Sequence, residues 1–112
     1  MSAKERNITT AAVLGSTGSV GLQTLDVADE LGLEIKLLAA GRNTTLLASQ
    51  IKKYLPKIAA VADEESANRL KNELSGEDAH TEILYKRDEV LSAIRETEAD
   101  IVFHSVGGLA GL

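Results

Sequence analysis

Apolar positions along this chain follow two alternating rhythms. Ile8–Leu14 is a continuous β-permissive run closed by Gly15, which predicts a buried strand. From Val20 the spacing turns helical: Val20, Val27, Ala28 and Leu31 recur at i, i+7, i+8 and i+11, and Gly32 stands where a helix-terminating glycine belongs. A second strand is predicted over Glu34–Ala40, ending at Gly41. Asn43 or Thr44 then caps a helix with the stripe Leu47, Ile51, Tyr54 and Leu55, stopped by Pro56. Ile58–Ala62 reads as a short third strand. Asp63, Glu64 and Glu65 supply a cap and an acidic first turn to a helix that turns Ala67, Leu70 and Leu74 inward. After a polar loop at Ser75–Ala79, Glu82–Tyr85 predicts a weaker strand. Asp88–Glu96 predicts a helix with Val90, Ala93 and Ile94 inward, and Ile101–His104 a last strand.

Strand and helix alternate throughout. That order predicts a Rossmann-like, doubly wound α/β fold: an open, largely parallel sheet with helices on both faces. With 112 residues there is room for one domain, residues 1–112, around one buried core. No internal repeat or low-complexity segment interrupts it.

Charge and composition narrow the function classes. The net charge is −5, with 4 basic against 5 acidic groups up to residue 50 and 8 against 12 after it. An acidic chain without a basic cluster is a poor nucleic-acid or membrane-surface binder. The absence of cysteine excludes a disulfide framework, a thiolate metal site and a cysteine nucleophile within these residues. Met1–Thr10 is too polar for a signal peptide, and no stretch approaches the roughly 20 apolar residues of a membrane helix. A soluble, cytoplasmic chain is expected.

The first chemical signal is Gly15-Ser16-Thr17-Gly18-Ser19-Val20-Gly21, between the first strand and the first helix. Its GxxGxxG spacing differs from the commoner GxGxxG, but the physics is shared. Absent side chains let the backbone approach a pyrophosphate, the helix N-terminus offers unpaired N–H donors, and Gly21 permits close helix–strand packing. Thr17 and Ser19 add hydroxyls, and no acid lies between Val13 and Thr24 to repel phosphate. The plainer alternative is a tight β–α turn that uses glycine only for geometry. The second signal, Gly41-Arg42-Asn43, follows the second strand, where a dinucleotide fold meets the adenosine ribose. An acid there would hold both ribose hydroxyls and favour NAD. Arg42 instead suits a 2′-phosphate and favours NADP. Its plain alternative is a solvated arginine beside a helix cap.

The run Val13–Val27, reading VLGSTGSVGLQTLDV, together with Ala40-Gly41-Arg42-Asn43 resembles the amino-terminal signature of the deoxyxylulose phosphate reductoisomerase family. In that family LGSTGSIG is followed by TLDV and then by A-G-[KR]-N. Gln50 with Pro56, and Val106–Leu112 against the family's IVGAAGL, extend the resemblance, while residues 63–98 match in layout. The resemblance implies that Thr17, Gly18, Ser19 and Val20 hold the cofactor pyrophosphate, and that Gly41, Arg42 and Asn43 hold the 2′-phosphate. It further implies an NADPH-dependent reduction and isomerisation of 1-deoxy-D-xylulose 5-phosphate to 2-C-methyl-D-erythritol 4-phosphate in non-mevalonate isoprenoid synthesis. A divalent cation, magnesium or manganese, and a homodimeric parent enzyme belong to the same picture.

His104 and Ser105 depart from the family's small or amide residues, and Gly107 replaces a branched one. The family's metal carboxylates, its sugar-phosphate site and its lid lie beyond position 112. The chain, which ends on an apolar glycine-rich segment, is therefore expected to be an amino-terminal portion without catalytic or metal residues, inactive alone. His104 reads as a partly buried strand-end residue rather than a proton donor. Two alternatives stand beside this reading. One is another NADP-dependent reductase; Tyr54 and Tyr85 lack a lysine four residues on, as a short-chain enzyme would need, and a semialdehyde dehydrogenase would need a cysteine. The other is a non-catalytic dinucleotide-binding module.

Overall fold

The structure, a computed structural model, describes residues 8–75 and 80–104. Strand β1, Thr10–Leu14, is the most apolar run, and Ala11, Ala12, Val13 and Leu14 are all buried. Around it lie β2 (Glu34–Ala39), β3 (Ile58–Ala60), β4 (Glu82–Leu84) and β5 (Ile101–His104). The order across the sheet is β4-β3-β2-β1-β5, and every neighbouring pair is parallel. Beyond the carboxyl ends of β2 and β3 the predicted extra residues still bond in register, as Ala40 donates to Ala60 and Val61 to Leu84.

The helices are α1 (Ser19–Glu30), α2 (Thr44–Tyr54), α3 (Glu64–Glu73) and α4 (Arg87–Glu96). The first three cover one face, where Leu25, Ala28, Leu47, Ile51, Ala67 and Leu70 pack on Val13, Leu38 and Ala59. α4 covers the other, with Val90 and Ala93 against Ala12, Leu14, Leu37 and Ala60. The doubly wound α/β fold is thus as expected. One irregularity sorts the second strand: Ala11 pairs with Ile35 but Ala12 with Leu37, so Lys36 is an extra residue in the ladder. The bulge moves Leu38 onto the same face as Ile35, so both apolar layers are filled.

Two expected stripes need correction. In α1 the inward residues are Gly21, Leu25 and Ala28, while Val20, Val27 and Leu31 are exposed. The phase is set by Gly21, which has to face the loop before the helix, and a rotation of about 100° per residue carries Val20 to the flank. In α2, Leu55 is not part of the buried stripe; it ends the helix in a left-handed conformation (φ 51°) and is exposed. Asn43 rather than Thr44 is the cap, accepting from the Leu46 N–H, and Asp63 caps α3 over Glu64 and Glu65 as expected. α4 starts at Arg87, one residue early. Positions 76–79 of the predicted loop lie outside the described residues.

Strand β5 is fastened to β1 at their amino ends. Asp100 Oδ2 accepts from the Thr9 and Thr10 N–H groups at 2.8 and 3.0 Å, and the Asp100 N–H donates to Thr10 Oγ1 at 2.9 Å. These N–H bonds, with the threonine hydroxyls, hold the Asp100 carboxyl below the usual carboxylate range.

Candidate functional site

Where β1 ends, Gly15 adopts φ 86°, a left-handed turn that glycine takes without strain. The Gly15 and Ser16 N–H groups both donate to the Ala39 carbonyl, at 2.7 and 3.0 Å, so the loop leaves β1 over the end of β2. The Gly18 N–H donates to Gly15 O at 3.2 Å and closes the turn. α1 then starts immediately.

The glycines of this loop have separate reasons. A Cβ on Gly21 would lie 2.0 Å from Gly15 O and 2.8 Å from Ser16 Cα, both backbone, so only glycine lets α1 pack here. A Cβ on Gly18 would meet only Gly15 O, at 3.7 Å, and its φ of −79° suits any residue. The described residues therefore leave room for a side chain at Gly18.

Each of the four helices starts at this carboxyl edge of the sheet, after β1 to β4 in turn, and they are finished differently; α4 has no side-chain cap bond but carries Asp88 and Glu89 in its first turn. Asn43 Oδ1 accepts from Leu46 at α2, and Asp63 Oδ1 accepts from Ser66 at 2.8 Å at α3. α1 has no side-chain cap bond and no acid in its first turn. Its leading N–H groups lack intrahelical carbonyls and carry the positive end of the helix dipole, an arrangement that favours negative charge. Thr17 is half-buried, while Ser19 and Val20 are exposed beside it.

The second loop works through side chains. Among the described residues nothing lies within 4 Å of a Cβ built on Gly41, which leaves open space above it. Arg42 is 76% exposed, and its Nε donates to Asp63 Oδ2 at 3.2 Å. The backbone beneath is braced from α3: Arg69 Nη2 donates to the Arg42 carbonyl and Nε to Thr44 Oγ1, each at 3.2 Å, and Thr44 Oγ1 donates to Glu73 at 2.6 Å. Asn43 Oδ1 accepts the cap bond from the Leu46 N–H.

A carboxylate does stand near Arg42, across 21 residues of sequence. Asp63 Oδ1 accepts from the Ser66 N–H at the α3 cap and its Oδ2 from the Arg42 guanidinium. Hydrogen bonds from the Ser66 hydroxyl and N–H, with Arg42 beside it, hold the Asp63 carboxyl below the usual carboxylate range. The cap was legible from Asp63-Glu64-Glu65; the contact with Arg42, and the bracing by Arg69 and Glu73, have no local signal.

His104 reaches the same edge, level with Leu14 in the ladder, and is exposed rather than partly buried. Ser105, Gly107 and the rest of 105–112 lie outside the described residues. Among the described residues no three His, Cys, Asp or Glu side chains are grouped to hold a metal, and no helix is long and apolar enough to cross a membrane. A groove of about 480 Å³ lined by Glu34, Lys36, Pro56, Lys57 and His80 opens at the amino edge, away from both loops.

The family model for 1-deoxy-D-xylulose 5-phosphate reductoisomerase matches residues 11–112, both loops included. The chain belongs to that family. Membership also takes in residues 63–98, where the motifs alone share only a layout, and decides against the other NADP-dependent reductases. The reductoisomerase of Ruminiclostridium cellulolyticum is 38% identical over 101 residues, covering 90% of this chain and 26% of that protein. The chloroplastic reductoisomerase of Mentha piperita is 40% identical, covering 90% and 22%. Among solved structures, the Zymomonas mobilis reductoisomerase in complex with NADPH superposes with a TM-score of 0.73 at 33% identity, over 84% of this chain and 25% of that one. The chain spans about a quarter of the length of these reductoisomerases.

Proposed function

We propose that this chain is the NADPH-binding part, a single domain over residues 1–112, of an enzyme that reduces and isomerises 1-deoxy-D-xylulose 5-phosphate to 2-C-methyl-D-erythritol 4-phosphate. Thr17, Gly18, Ser19 and Val20 receive the pyrophosphate through the open first turn of α1, with Gly15 and Gly21 shaping the loop. Gly41 leaves room for the adenosine ribose, and Arg42 with Asn43 takes the 2′-phosphate. When bound, the cofactor supplies hydride; the residues described here bind and orient it.

The observation that carries the reading is the pairing of an uncapped helix N-terminus with an exposed arginine at the ends of adjacent parallel strands. A dinucleotide presents a pyrophosphate and a 2′-phosphate in that relation. The sugar-phosphate substrate, the divalent cation and the catalytic groups belong, in this reading, to the rest of a full-length enzyme, a cytoplasmic homodimer. The chain by itself has no turnover.

Parallel titration of the purified chain with NADPH and NADH tests the proposal. A charge-assisted hydrogen bond contributes about 1.5–3 kcal/mol, so NADPH is expected to bind roughly 10- to 100-fold tighter. Equal affinities, or a preference for NADH, would remove the role given to Arg42.

A further inference from the structure

We propose that Gln50 is a positioning residue of the pyrophosphate loop, setting the direction of the Thr17 N–H; this rests on the cofactor reading above. Gln50 lies on the inward face of α2 among Leu47, Ala48 and Ile51, a place that periodicity assigns to an apolar side chain. It is only 5% exposed. Its Nε2 donates to the Ser16 carbonyl at 2.8 Å, across 34 residues of sequence. Among the described residues its Oε1 has no hydrogen-bond partner, and neither does Oγ of the fully buried Ser16. A methionine of similar length would fit the apolar layer at position 50 but would leave the Ser16 carbonyl without its partner. A polar group kept in an apolar layer, and spending its one bond on a loop carbonyl, points to a role in that loop.

The geometry of the peptide unit gives the role. Ser16 is held on both sides, its N–H by Ala39 O and its carbonyl by Gln50. In a planar trans peptide the carbonyl of one residue and the N–H of the next point in opposite directions. With Ser16 O drawn inward to Gln50, the Thr17 N–H is directed outward, toward the space before α1. Releasing the carbonyl frees that peptide to rotate and the donor to turn away. Because Gln50 sits on the helix that Asn43 caps, the same bond fixes the pyrophosphate loop relative to the Arg42 loop.

The test is Gln50→Met in the full 112-residue chain, titrated with NADPH and NADH and melted alongside wild type. Both cofactors carry the pyrophosphate, so both are expected to weaken by the same factor, about 10-fold, with their ratio little changed and the melting temperature lowered by several degrees through the lost Ser16 bond. Affinities equal to wild type, or a loss confined to NADPH, would overturn the inference. If wild type itself binds neither cofactor, the cofactor reading fails first and takes this inference with it. Should Gln50→Met not fold, amide NMR of wild type decides. Shifts of the Gln50 side-chain amide and the Thr17 N–H on NADPH saturation support the role, and an unmoved Gln50 signal refutes it.

Discussion

The two loops of the proposed cofactor site are built on opposite principles. The Gly15–Gly21 loop presents backbone, has no ionisable side chain, and is pinned from inside by Ala39 and Gln50. The Gly41–Asn43 loop presents an exposed guanidinium, steadied by a carboxylate and braced by Arg69 from a neighbouring helix. Backbone donors are fixed once the fold forms, at the cost of forbidding side chains at the contact. A long side chain is adjustable, but holding it against its own entropy takes partners. On the reading proposed above, the first loop gives the affinity common to all dinucleotides, and the second the choice between them.

The comparison breaks most visibly at Gly21. Alanine there puts a carbon 2.0 Å from the Gly15 carbonyl oxygen, where no flexible side chain can yield. Overpacking of this kind costs about 3 kcal/mol or more, and Gly21→Ala is expected to lower the melting temperature by roughly 10 °C or more. A circular-dichroism melt matching wild type would refute the backbone account. Next is Gly18→Val. The extended backbone and open surroundings accommodate valine, so the melt should move by only a few degrees while NADPH and NADH both lose about 100-fold or more. A folded variant that binds NADPH normally would take the pyrophosphate away from this loop.

Arg42→Ala acts on the other loop and on one cofactor. NADPH affinity is expected to fall about 10- to 100-fold and NADH affinity to hold. Equal losses would make Arg42 an adenine-stacking or structural residue. The smallest effect is pH-dependent. The depressed carboxyl of Asp63 adds stability that is complete above its unfolded-state value, about 3.9, and is lost as pH falls through its lower folded value. Thermal melts between about pH 5 and pH 2.5 should show this slope. Asp63→Asn, which keeps the α3 cap, should reduce it to the part belonging to Asp100. An unchanged slope would separate Asp63 from the second loop's stability.

What the sequence makes legible follows from how local each cause is. The strand into Gly15, the bare helix start and the acidic first turn after Asp63 are each read from neighbours within a few residues, and the structure has them in place. The α1 stripe misleads because its phase is set by a backbone contact between Gly21 and Gly15 rather than by the largest apolar residues. Val20, Val27 and Leu31 outrank Gly21 and Ala28 in hydrophobicity and yet lie outside. The bulge at Lys36 is similarly hidden, since Ile35, Leu37 and Leu38 satisfy a strand in either register. Arg69, Glu73 and Gln50 reach their partners across 25 to 34 residues of sequence, and only the sheet order β4-β3-β2-β1-β5 makes them neighbours. Gln50 alone left a trace: a polar residue in an apolar stripe.

The Asp100 clasp has a consequence for how the chain comes to be folded. β1 is next to β2 after only 19 intervening residues, but its other neighbour arrives some 90 residues later, through a carboxylate reaching back to Thr9 and Thr10. Closing that long loop costs little more than closing a short one, because the entropy grows only as the logarithm of length. Time is the greater constraint. During synthesis, the strand that carries the glycine loop has one bare hydrogen-bonding edge until residues 101–104 emerge, and a bare edge is a template for another chain. Asp100, which fastens β5 to β1, is also the residue that ends this exposure, and a nascent chain stalled before it would present one edge of its most apolar strand unpaired.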